Sequence, residues 1–108
     1  MARPHIEPYV ELDTPYKKFG LNGFRGSQYK VLSLDNDTGA CTLKVRFNGG
    51  FRRKPGLSYS DMEIFVLNGR IKVGKETWAE GHYAFIPAGT AVGAIEVAQG
   101  AEALLMYN

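Results

Sequence analysis

The chain has 108 residues, 44% of them hydrophobic and 22% charged, with a net charge of +2. That length holds one hydrophobic core, and that balance excludes wholesale disorder. A single cysteine, Cys41, excludes an intrachain disulfide, a cysteine zinc knuckle and a CxxC redox pair.

No apolar run approaches a membrane span, and the start, Met1 to His5, lacks the apolar core of a signal peptide. The expectation is a cytoplasmic protein with no membrane partner. So weak a positive charge does not imply nucleic acid either.

Residues 1–26 are the least regular part and read as an N-terminal arm; residues 27–108 read as one β-domain. Within the arm, Asp13-Thr14-Pro15-Tyr16-Lys17-Lys18 offers a short helical turn, with Thr14 as cap and Pro15 at the first helical position. Gln28 to Leu34 is an apolar run, and Asp35-Asn36-Asp37-Thr38-Gly39 is a dense turn cluster. Cys41 to Phe47 alternates, with Leu43, Val45 and Phe47 on one side and Lys44 and Arg46 on the other. Asn48-Gly49-Gly50 ends it, and the basic run Arg52-Arg53-Lys54 follows.

In Glu63 to Val73, two β-rich runs flank Asn68-Gly69, which predicts a type I′ hairpin turn. Glu76-Thr77-Trp78 is a short strand. Gly81 opens Tyr83 to Ile86, which Pro87 stops. Val92 to Val97 and Glu102 to Tyr107 close the chain as two more strands. Many short strands separated by turns predict an all-β sandwich or barrel.

Two segments carry a resemblance to the cupin superfamily. Met62 to Gly69 resembles the first cupin motif, in which a Glu stands seven residues before the hairpin Gly. Gly81, five residues, Pro87, Ala88, Gly89, two residues and Val92 resemble the second, G-x5-P-x-G-x2-H. Tyr29 to Asp35 and Thr38-Gly39-Ala40 are similar to the lead-in of small cupins of the anti-sigma-factor and acetophenone-dioxygenase types. The resemblance covers roughly residues 27–107 and implies a conical antiparallel β-barrel of the jelly-roll type. It also implies a metal held by an HxH pair, a Glu and a final His. Here Met62 stands at the Glu position, Val92 at the final His, and Lys54 to Tyr59 contains no histidine. Met and Val supply no hard donor for iron, manganese or zinc. The expectation is a cupin without metal and without any other cofactor.

Met62 and Val92 then have two readings: packed core filler, or the wall of a pocket that kept its volume and became apolar. In the second reading Tyr59 is one polar handle. Glu96 is another, sharing a strand face with Val92 and Ala94 and therefore pointing inward, with Arg46 as its partner. The expected ligand-binding set is Arg46, Tyr59, Met62, Val92 and Glu96. Arg52-Arg53-Lys54 reads as a solvated loop or as an anion-capturing group at the pocket mouth. His82 is expected exposed at a strand start, and Trp78 packed in the barrel or a dimer contact. Glu63, Phe65 and Leu67 point away from Met62, so Phe65 and Leu67 seek cover, and a homodimer is expected.

Three functions compete: binding of a small organic molecule in an apolar barrel; a metal-independent isomerase or lyase using Tyr59, Glu96 and His82; and a structural homodimer with a filled barrel. Binding ranks first, because no pair of titratable groups stands at a diagnostic spacing.

Overall fold

Strand alternation organises the chain. The structure, a computed structural model, describes Ile6 and residues 15–18 and 26–108. The turn cluster works as expected: strand β2 (Ser27–Leu34) and strand β3 (Cys41–Phe47) are joined across it. The Asp35 carboxylate accepts from the Asp37 amide at 2.9 Å, so the side chain builds the turn. Leu43, Val45 and Phe47 of β3 line the interior.

Strand β11 (Ala101–Tyr107) lies between β3 and strand β6 (Met62–Val73). The long β6 serves two sheets. Its first half pairs strand β8 (Tyr83–Ile86) and β11; its second half pairs strand β7 (Glu76–Ala79) and strand β10 (Ile95–Val97). Strand β4 (Phe51–Arg53) is added beyond β10, and strand β1 (Lys17–Lys18) at the opposite edge on β2. Strand β5 (Gly56–Leu57) and strand β9 (Ala91–Val92) form a separate ribbon. Every pairing is antiparallel, and the described residues contain no helix. The sheet curls on itself as an all-β, cupin-like antiparallel jelly-roll barrel. Val45, Val66, Ile71 and Val97 are almost wholly buried in it, each worth about 1.5–3 kcal/mol of burial. Among the described residues no helix is long and apolar enough to cross a membrane.

Three local expectations are corrected. The Asn68-Gly69 hairpin does not form: β6 runs straight through it, and the register with β11 shifts there instead. A type I′ turn needs positive φ at both central residues, yet no described non-glycine residue has one. The bulge falls at Leu67, and Gly69, at φ +78°, follows it where β6 leaves one sheet for the other. The turn sits six residues later, at Gly74-Lys75, where only the glycine has positive φ, the sign pattern of type II′. Second, Lys17-Lys18 are strand, so the helical turn at 13–18 is absent at its described end; Thr14 lies outside the described residues. The ladder hydrogen bonds offered by the β2 edge outweigh one isolated helical turn, whose nucleation is unfavourable. Third, Val92 to Val97 is two strands broken at Gly93-Ala94. The β6–β7 turn crowds that point: a Cβ on Gly93 would lie 2.7 Å from the Gly74 Cα, and the Gly74 amide donates to the Ala94 carbonyl at 2.8 Å.

Candidate functional site

The inward faces of β3, β4, β6, β10 and β11 do not fill the barrel. They leave an inner chamber of about 250 Å³. Its walls are apolar: Leu43 and Val45 from β3, Ile64 and Ile71 from β6, Ile86 from β8, and Leu105 from β11. Phe47 and Phe51, with ring centroids 4.9 Å apart, also line it. An outer chamber of about 360 Å³ adjoins it, lined by residues 56–60 and by Lys54 and Gly93. Arg53, Met62, Val92, Ile95 and Tyr107 line both chambers and so form the ring between them.

Met62 and Val92 thus stand on the cavity wall. Tyr59 lines only the outer chamber and is 94% exposed. Glu96 and Arg46 are not brought to the site. The break at Gly93-Ala94 ends the face shared with Val92. In β10 it is Ile95 that lines the cavity and Val97 that is buried, so Glu96 between them points away, opposite Arg52 of β4. Arg46 alternates outward from Val45 and Phe47. Its Nε donates to the Gln28 Oε1 at 3.1 Å, and its guanidinium lies 4.3 Å from the Tyr16 ring centroid. Both expectations placed a side chain by counting across a strand break or against its own strand's alternation.

Two residues outside the expected set supply the polar equipment. Arg53 follows Phe51 by two in β4 and shares its inward face; Tyr107 follows Leu105 by two in β11. Their signal was the period-2 pattern itself, hidden in a three-residue strand and at the end of a seven-residue one. Burial pushes the Tyr107 hydroxyl above its ordinary value, against the pull of the Arg53 charge. Trp78 of β7 also lines the inner chamber. His82 is exposed, and its Nδ1 accepts from the Ala79 amide, which holds the imidazole in the turn before β8.

The family model for the Domain of unknown function DUF4437 matches residues 16–108. The chain belongs to the DUF4437 family. It is a cupin-type family. No curated protein matches the sequence. This DUF4437 chain is similar in structure to a proposed dioxygenase from Nostoc punctiforme, at 29% identity and TM-score 0.82 over 93% of this chain. It spans only 37% of that protein's length. It is also similar to an RmlC-like cupin from Shewanella frigidimarina, at 15% identity and TM-score 0.77, covering 99% of this chain and 93% of that one. An acetylacetone dioxygenase from Acinetobacter johnsonii gives 17% identity and TM-score 0.76, with 99% and 77% covered.

The metal that cupin motifs imply does not fit this DUF4437 chain's residues. At the carboxylate and final-histidine positions stand the Met62 thioether and the Val92 isopropyl group, and Gly56 faces Val92 across the β5–β9 ribbon. Among the described residues no three His, Cys, Asp or Glu side chains converge. His5 lies outside the described residues. A thioether and hydrocarbon offer no coordination set for iron, manganese or zinc.

Proposed function

We propose that this chain binds a small organic molecule inside the barrel, without a transition metal. The observation that carries the reading is the apolar inner chamber of about 250 Å³ at the very positions, Met62 and Val92, where cupin motifs have ligands. That volume is near the lower end of small-molecule pockets, and mostly apolar walls with a few polar groups are what such pockets have. The hollow speaks against a barrel packed solid by those two residues.

The isomerase or lyase reading has less support. Its three candidates diverge: Tyr59 lines the outer chamber, Glu96 is turned away from it and His82 sits in an exposed turn. The dioxygenase activity proposed for the Nostoc protein would need metal donors that this chain's motif positions lack. A cytoplasmic setting is part of the proposal, in keeping with a chain whose single cysteine forms no intrachain disulfide.

Native mass spectrometry of untagged protein, with elemental analysis of the same sample, tests this. An organic adduct with metal far below one per chain supports it. Near one transition metal per chain overturns it.

A further inference from the structure

The charges around the hollow narrow what it takes up. Among the described residues, no carboxylate lines either chamber. The described charged groups on their walls are both cations: Arg53, in the ring between the chambers, and Lys54, at the outer one. The balancing acid that sequence placed inside, Glu96, pairs in register with the outward Arg52 and leaves Arg53 to the cavity side. Tyr107 stands in the same ring, and its raised hydroxyl keeps its proton at neutral pH. Trp78 also lines the inner chamber, and its indole N–H is a donor only.

The site therefore offers donors and positive charge at one end and hydrocarbon at the other. A cationic ligand would meet like charge at the ring. A wholly apolar one would cover the Arg53 guanidinium without bringing a counter-charge to it. A carboxylate takes two of a guanidinium's five donors in a bidentate pair and leaves the others for protein partners.

We propose that the ligand is a small organic acid. Its carboxylate sits on Arg53, with the Tyr107 hydroxyl as second donor, and its apolar remainder fills the inner chamber beside Ile64, Trp78 and Leu105. At about 30 Å³ per water-sized group, the 250 Å³ chamber takes roughly eight such groups, the size of a medium-chain or single-ring acid. This inference rests on the binding reading above and adds the head group to it.

Trp78 is the chain's single tryptophan, so its emission reports the inner chamber directly. The full chain would be titrated at pH 7 with octanoate, 1-octanol and octylammonium, following Trp78 fluorescence and melting temperature. Octanoate is expected to saturate and to bind about tenfold or more tighter than octanol, as a charge-assisted bidentate pair allows; octylammonium binds weakest. Arg53→Met should erase the preference for acid over alcohol while octanol still binds, and Arg53→Lys should keep part of it. The octanol response serves as the check that each variant is folded with its chamber intact. Equal affinity for octanoate and octanol in the parent protein overturns the acid head group and leaves the binding reading standing. No saturable response to any of the three overturns both.

Discussion

Gly69 is pressed against Ala101: a Cβ at Gly69 would stand 2.9 Å from the Ala101 Cβ and 2.4 Å from the Gly100 carbonyl oxygen. Gly69 and Ala101 are partners in the β6–β11 ladder, two residues from the register shift at Leu67, so the chain cannot relax there without disturbing that pairing. Gly69→Ala adds this clash to a left-handed φ and should cost about 2–4 kcal/mol, from backbone strain and overpacking together. Gly81 has a similar φ, +86°, but open space around its Cβ position. Gly81→Ala should cost only about 1–2 kcal/mol. Urea denaturation of the two variants checks the order; equal losses would mean that the close approach contributes nothing.

Val92 separates a hollow chamber from a packed core. Because it lines open volume in both chambers, Val92→Trp should leave the protein folded with a melting temperature near the parent's and abolish the Trp78-reported response to octanoate or any other occupant, once the added tryptophan's own emission is subtracted. Overpacking a filled core costs about 1–3 kcal/mol, or roughly 4 °C or more of melting temperature at this size. A drop of that order, with no ligand response in the parent, would return the barrel to a structural role.

On the outer face, Glu102 gathers partners from the N-terminal arm and the sheet. The Tyr16 hydroxyl donates to its carboxylate and holds the carboxyl below its ordinary 4.5, helped by Asn68 Nδ2 at 2.8 Å and Lys44 Nζ at 3.8 Å and opposed by burial. A carboxylate that titrates lower when folded stabilises fully above its unfolded value and loses that contribution as pH falls through the folded one. Glu102→Gln should therefore lower stability at pH 7 by about 1 kcal/mol or less, the range of exposed ion pairs. The gap from the parent should close below the carboxylate range. Urea midpoints at pH 7 and pH 3 measure it; a gap that persists unchanged at pH 3 would assign the loss to packing.

We expect a homodimer. The outward face of β6 carries Glu63, Phe65 and Leu67, and the neighbouring β8 adds Tyr83 and Phe85, 56% and 52% exposed. Glu63 accepts from the Tyr83 hydroxyl and so orients that ring. Phe65 and Leu67 themselves are half-buried, which moves the apolar surface needing cover toward β8. Light scattering at micromolar concentration should report twice the 11.9 kDa of one chain; a monomer would remove the second copy from the account.

Period-2 patterning determined the strand Cys41–Phe47 outright and placed Leu43, Val45 and Phe47 on one face, because alternation is a local property of the backbone, and the Gly81 and Pro87 breakers bounded Tyr83–Ile86. The spacing around Pro87 and Gly89 was enough to indicate the cupin fold, and Met62 and Val92 could be set on a shared wall by that resemblance. Four things were decided only by tertiary structure. Asn68-Gly69 has the strongest local turn chemistry in the chain, yet β8 flanks β6 up to Phe65 and β11 up to Gly69, and β7 takes over from Arg70 and β10 from Lys72, so strand pairing overrode the turn and left only a bulge at Leu67. The break at Gly93 arises from a contact with Gly74, nineteen positions earlier, which no local pattern contains. That break turned Glu96 away from the cavity. The sequence offered Arg52-Arg53-Lys54 as a solvated loop or an anion-capturing group; that Arg53 is the one facing inward depended on β4 joining β10, a pairing between segments more than forty residues apart.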